Sequence, residues 1–256
     1  MRVTEYRVTE YKLASDRASL RAVVVADFHD GPLSPLVETI RGLQPEVIFV
    51  AGDAVHDSEH TANAFAFLRE LVKIAPTFCS LGNHETRCGE NIANDLAETG
   101  VKVLDNEDVK FGGFVIGGLT SGFRGKRKRR FQKTPRPKLE WLDDFCAQEG
   151  IKVLLSHHPE YYPAYLSDRP IDLILSGHAH GGQWRVFGQG IFAPGQGIFP
   201  HFTSGAYRGR QLQEGRLALL PDKPLLIVSR GLYNHTRVPR INNPEELIVL
   251  DFQKDI

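Results

Sequence analysis

Thr77-Phe78-Cys79-Ser80-Leu81-Gly82-Asn83-His84-Glu85 is the stretch whose reading decides the fold. Its first five residues are a short apolar run of strand length, closed by a glycine. An amide, an imidazole and a carboxylate follow directly. Polar groups that leave water at such a junction need compensating partners, and a metal ion supplies them. The same juxtaposition recurs along the chain. Asp27-Phe28-His29 follows Val23-Val24-Val25-Ala26, and Gly52-Asp53 follows Val47-Ile48-Phe49-Val50. His157 follows Val153-Leu154-Leu155-Ser156, and Gly177-His178-Ala179-His180 follows Leu173-Ile174-Leu175-Ser176. In α/β proteins the carboxyl ends of neighbouring parallel strands open onto one crevice, so these junctions imply a single site.

Helices separate the early runs. Leu33, Leu36, Val37, Ile40 and Leu43 fall on one helical face, and Pro45 ends that helix. A second helix over about 61–73 turns Phe65, Leu68, Leu71 and Val72 inward, and a third lies near 91–98. Alternating strands and helices imply parallel strands joined by right-handed crossovers. Two strands follow at about 108–111 and 114–118, then a helix carrying Leu139, Leu142 and Phe145. Strands at 151–155, 171–175, 216–220, 225–229 and 247–251 complete the pattern. At the start, Arg2-Val3-Thr4-Glu5-Tyr6 is echoed by Arg7-Val8-Thr9-Glu10-Tyr11. A period of five exchanges sheet faces between copies, so the pair reads as one long edge strand. Residues 181–211, rich in Gly, Pro and aromatics, read as a long ordered loop on the substrate side.

The 256 residues show no linker and read as one domain, residues 1–256. Lys and Arg number 31, as do Asp and Glu, so affinity for a polyanion would have to be local. The charged start lacks a signal peptide's apolar core, and no run approaches the ~20 residues that span a bilayer. The reading is a cytoplasmic protein with optional peripheral membrane contact. Cys79, Cys88 and Cys146 are odd in number and lack CxxC spacing, which points to reduced packing residues.

Asp27, His29, Asp53, Asn83, His157, His178 and His180 make a mixed oxygen and nitrogen donor set. Such a set suits Mn, Fe, Co, Ni or Zn rather than Ca, with Mn placed first. Seven donors exceed what one such ion takes, so two ions about 3.5–4 Å apart are expected, with Asp53 as the bridge. Two divalent cations against two aspartates and a hydroxide leave roughly one positive charge, which favours a phosphoryl anion. A metal-bridging hydroxide would attack phosphorus. His84, beside Asn83 but outside the donor set, is placed to protonate the leaving group.

Asp27-x-His29, Gly52-Asp53, Gly82-Asn83-His84-Glu85, His157 and Gly177-His178-x-His180 stand in the order of the five motifs of the calcineurin-like metallophosphoesterase superfamily. The chain resembles that superfamily from about residue 20 to 250. The resemblance implies a four-layer αββα sandwich of two mixed β-sheets flanked by helices. It also implies one ion held by Asp27, His29, Asp53 and His180, and another held by Asp53, Asn83, His157 and His178. His178-Ala179-His180-Gly181-Gly182-Gln183, Phe199-Pro200, Thr203-Ser204-Gly205, Ser229-Arg230-Gly231-Leu232 and Pro244-Glu245-Glu246 are similar to a bacterial branch. That branch includes UDP-diacylglucosamine pyrophosphohydrolases and membrane-associated phosphodiesterases. The implied reaction is hydrolysis of a phosphodiester or pyrophosphate bond, on a lipid-linked or nucleotide-sugar substrate. Alternatives are a nuclease of the same superfamily and a non-catalytic scaffold.

The superfamily often has Asp three residues after the bridging Asp, where this chain has His56. Either His56 shares the catalytic role with His84, as in the nuclease branch, or it is a plain loop histidine while Asp57 orients His84. His158 reads as a rim residue or a support for the donors, and His60, His201 and His235 as ordinary histidines. Residues 124–138 form a basic loop insertion carrying Arg124, Lys126, Arg127, Lys128, Arg129, Arg130, Lys133, Arg136 and Lys138. It reads as a solvated loop, a contact for anionic membrane, or a nucleic-acid contact.

Overall fold

The computed structural model describes residues 6–15, 18–125, 133–220, 222–233 and 238–254. The strands are β1 (Arg7–Ser15), β2 (Leu20–Val25), β3 (Val47–Ala51), β4 (Thr77–Ser80), β5 (Lys102–Leu104), β6 (Glu107–Phe111), β7 (Phe114–Leu119), β8 (Ile151–Ser156) and β9 (Leu173–Ser176). Two small hairpins follow, β10 (Arg185–Val186) with β11 (Gln189–Gly190), and β12 (Phe192–Ala193) with β13 (Gly197–Ile198). The chain continues through β14 (Gly205–Arg208), β15 (Gln211–Gln213), β16 (Leu217–Ala218), β17 (Leu225–Val228) and β18 (Glu246–Lys254). Helices are α1 (Leu36–Gly42), α2 (Ala62–Ile74), α3 (Glu85–Cys88), α4 (Ile92–Ala97) and α5 (Leu142–Ala147).

Two seven-stranded mixed sheets result, in the orders β16-β1-β18-β2-β3-β4-β5 and β15-β14-β17-β9-β8-β7-β6. The middle of each is parallel: β2, β3, β4 and β5 in one, and β17, β9, β8 and β7 in the other. The sequence shows why they stack. A strand that is apolar at every position must bury both faces, and side chains alternate faces with period two. Ala22, Val24, Val47 and Phe49 of the first sheet meet Val153, Leu155, Leu173 and Leu175 of the second in one central core. The alternate residues Val23, Val25, Ile48 and Val50 pack under α1, α2 and α4. On the far side, Leu154, Ile174 and Leu226 pack under α5 and a single turn at Tyr162–Leu166. The layers are those of the αββα sandwich.

Several expectations shift. β1 is one strand in from the edge, because Leu13 and Ala14 pair with β16; residues 1–5, half of the repeated pentapeptide, lie outside the described residues. In α2 the buried set is Ala64, Phe67, Leu68 and Leu71, with Phe65 and Val72 only partly covered. Stacking decides this, since the Phe67 ring lies 4.1 Å from that of Phe28. Strand β5 was not foreseen. Within the basic insertion, residues 126–132 lie outside the described residues, while the Arg124 guanidinium donates to the carbonyls of Ser121 and Phe123. Among the described residues, no helix is long and apolar enough to cross a membrane.

Candidate metal centre

All the predicted donors lie just past strand ends: Asp27 and His29 after β2, Asp53 after β3, Asn83 after β4, His157 after β8, His178 and His180 after β9. The first four belong to one sheet and the last three to the other, so the site forms across the seam between sheets. Asp27, His29, Asp53, His178 and His180 adopt positive φ of 54°, 48°, 55°, 65° and 46°. For residues with side chains this left-handed backbone costs about 1–3 kcal/mol each and persists only where neighbours enforce it. The enforcement is visible. The Asp27 and His29 amides donate to the Gly52 and Asp53 carbonyls at 3.2 and 3.0 Å. The His178 amide donates to the Asp27 carboxylate at 3.0 and 3.1 Å, tying one sheet to the other. Two glycines are required by space alone. A Cβ on Gly82 would collide with the Asp53 carboxylate, and one on Gly177 would lie 2.7 Å from Asp27 Oδ2.

Two donor groups converge. In the first, His29 Nε2 and His180 Nε2 are 3.2 Å apart, and Asp27 Oδ1 lies 3.7 and 3.4 Å from them. Ligands about 2.0–2.1 Å from a tetrahedral ion stand roughly 3.3 Å apart, so the spacing fits a cation. In the second, Asp53, His157 and His178 bring ligand atoms within 4.8 Å of one another. His157 Nδ1–H donates to the Ala51 carbonyl at 2.8 Å, which leaves Nε2 as the nitrogen available to a cation at the site. That buried nitrogen lies 3.0 Å from Asp53 Oδ2 and makes no well-directed hydrogen bond among the described residues. Asp53 Oδ2 also lies 4.0 Å from His29 Nε2, in the first group. A buried nitrogen left so beside a carboxylate oxygen is what a divalent cation satisfies. The Asn83 amide ends 2.8 Å from His178 Nδ1 and 3.1 Å from Arg87 Nη1. Its oxygen faces His178 Nδ1, which gives it no hydrogen bond, so it stands on the side of the second donor group.

Electrostatics at the seam follow from burial. Burial and Asp53 raise the Asp27 carboxyl to about 7 against the pull of His157. Burial also opposes ionisation of Asp53, but His157 and His84 outweigh it and hold that carboxyl well below the usual range. His157 is the counterpart: burial disfavours its cation, yet Asp53 lifts it to about 10. Burial, reinforced by neighbouring cationic groups, holds His29 and His178 well below the ordinary imidazole value and His180 at about 3. Neutral imidazoles are the form that binds metal.

His84 donates from Nδ1 to the backbone carbonyl of His56, which turns Nε2 toward Asp53 Oδ2, 3.9 Å away. The His56 main chain therefore orients His84. Asp57 does not: its carboxylate binds His60 at 2.8 Å on the surface. The His56 ring sits 5.3 Å from that of His84 and 5.9 Å from that of His29. His158 is fully buried rather than on a rim, within 2.8 Å of Ser121 Oγ and with its ring 4.2 Å from that of His178. His60 and His201 are peripheral, and His235 lies outside the described residues.

Glu85 follows the candidate donor Asn83 and the proton-donor candidate His84 and has a structural part. Its buried carboxylate accepts from the amides of Asp53 and Gly82 at 2.9 Å each, and from Val55 at 3.1 Å. It clamps the loops after β3 and β4. Its signal was available: a carboxylate with no donor role, beside a strand end, needs amides.

Residues 20–182 match the model of the calcineurin-like phosphoesterases. An uncharacterized metallophosphoesterase of Campylobacter jejuni is 26% identical over 99% of this chain and 64% of its own length, so the chain spans under two thirds of that relative. One from Aquifex aeolicus is 26% identical over 98% of the chain and 91% of its length. The Escherichia coli phosphodiesterase YaeI is 29% identical over 71% of the chain and 69% of its own. A solved structure at 13% identity superposes with a TM-score of 0.50 over 91% of this chain and 95% of that one, a likeness of fold alone.

Proposed function

The chain belongs to the calcineurin-like phosphoesterases, and from that premise we propose that it is a metal-dependent phosphoesterase hydrolysing phosphodiester or pyrophosphate bonds at the seam between its sheets. Asp27, His29 and His180, with Asp53, would hold one divalent cation; Asp53, His157 and His178, with Asn83 through its amide oxygen, would hold the other. Mn is the first choice, and Fe, Zn, Co and Ni suit the same donors. Two such cations, when bound, supply an activated water and positive charge for the phosphoryl oxygens. The observation that carries the reading is the side-by-side convergence of two triads, Asp27/His29/His180 and Asp53/His157/His178, with Asp53 reaching both.

The chain's own residues supply the rest. As the water oxygen bonds to phosphorus, the bond to the leaving oxygen breaks, and His84 Nε2 gives that oxygen its proton. The proton is that of the imidazolium: the His56 carbonyl takes the Nδ1–H, and the second N–H, on Nε2, is the one that passes to the leaving oxygen. Exposed Trp184, Val186, Phe187, Ile198 and Phe199 lie on the hairpins that follow His180, which supports a lipid-linked substrate over a free oligonucleotide. Contact of residues 124–138 with anionic membrane belongs to the same reading, within a single domain of residues 1–256. Asp53→Asn tests it: the variant is expected to lose metal and turnover of bis(p-nitrophenyl) phosphate with Mn. Wild-type turnover by that variant would overturn the assignment.

A further inference from the structure

Arg240 carries a feature that the proposed reaction has not used. Its main chain is pinned to the segment that leaves the second His of the Gly-His-x-His motif: Ile241 bridges Trp184, and Arg185 N–H donates to the Ile241 carbonyl at 3.0 Å. The guanidinium then reaches back, and Nη2 stands 3.5 Å from His180 Nδ1 and 3.4 Å from the Tyr233 carbonyl. With His180 Nε2 reserved for a cation, Nδ1 carries the ring hydrogen and does not accept, so the Tyr233 carbonyl is the acceptor that the guanidinium finds among the described residues. Nε and Nη1 are shielded from solvent and have no hydrogen-bond partner among the described residues. Burial works against the cation, and Glu245, Asp27 and Glu246 are the acids that offset it. None of them forms an ion pair with it among the described residues. A buried cation costs several kcal/mol unless it is paired and hydrogen-bonded, and a guanidinium is suited to phosphate oxygens.

We propose that Arg240 binds the phosphoryl group of the substrate: Nη2, the nitrogen beside His180, donates to a non-bridging oxygen, or to one on the phosphate next to it, from the His180 side. This rests on the phosphoesterase reading and assigns that site an anion-binding residue contributed by the chain after β17. No bond to phosphorus is made or broken by Arg240. It holds charge that is present before and after hydrolysis, so it would also hold the product phosphate.

The test is calorimetric titration of inorganic phosphate into the Mn-loaded full chain, with metal content measured for each variant. Wild type is expected to bind, Arg240→Ala about ten- to a hundredfold more weakly at unchanged metal content, and Arg240→Lys in between. Added guanidinium ion is expected to restore part of the binding to Arg240→Ala. If metal-loaded Arg240→Ala binds phosphate within twofold of wild type, the residue only packs against His180 and the inference fails, while the phosphoesterase reading stands. Should Arg240→Ala not fold or not take up metal, Arg240→Lys decides: wild-type affinity in that folded, metal-loaded variant overturns the proposal. Wild-type chain that loads two metals yet neither binds phosphate nor hydrolyses phosphoesters would sink both readings.

Discussion

His84 shows how much a single side chain inherits from its neighbours. Its Nε2 faces the donors only because Nδ1–H is spent on the His56 carbonyl, a bond that any residue at position 56 could offer. Removing the His56 ring and removing the His84 ring therefore predict different results. His84→Ala is expected to keep its metal and to lose about 10²–10⁴-fold in kcat on a substrate with a poor leaving group. On p-nitrophenyl esters, whose leaving group needs no proton, the loss is expected to be small. Equal losses on both substrates would remove His84 from the proton-donor role. His56→Ala with unchanged turnover would reduce His56 to its carbonyl. The sequence reading sets His84 outside the donor set, but nothing in it could show that a main-chain oxygen, twenty-eight positions earlier, takes its Nδ1–H.

Elements are held to the site by buried main-chain bonds, and the clearest case is the join between the ends of β3 and β4. Glu85, the first residue of α3, accepts three amides with no solvent to substitute for it. Glu85→Gln turns one acceptor into a donor facing N–H groups, so we expect a loss of about 1–3 kcal/mol in denaturant unfolding. Weaker metal retention should accompany it, because Asp53 is among the residues released. Unchanged stability and metal content would show that the loops hold themselves. At this scale the strands were legible, since a run apolar at every position has to be covered on both faces. Where apolar residues crowd, legibility fell: Phe65 and Phe67 both suit the inner face of α2, and only contact with Phe28 selects Phe67. The hairpins after His180 have two-residue strands, too short for any alternation to register.

Across the whole molecule, the seam between sheets is a liability that pH should expose once metal is stripped with a chelator. His29, His158 and His178 have folded values well below 6.5, and His180 sits at about 3. Below about 6.5 the unfolded chain therefore takes up protons first, and stability falls with falling pH. Raised carboxyls oppose this: Asp27 at about 7, and Glu85, keep protons in the fold that the unfolded chain has released. Four histidines outweigh two carboxyls. Above 6.5 the sign reverses, because His157, lifted to about 10, is protonated only in the fold and that contribution fades as pH rises through its folded value. The melting temperature of chelated protein is thus expected to peak near pH 6.5, and a steady rise to about pH 9 would contradict it. By itself the sequence determined the layer pattern and marked the candidate donors, because burial on both faces and polar groups at strand ends are local demands written in consecutive residues. Only the tertiary structure decided that two sheets, not one, supply those donors, that Glu85 and the His56 carbonyl hold them, and that Arg240 returns to the same place. Those relations join segments distant along the chain, and their energy comes from excluded water between surfaces that no stretch of sequence contains alone.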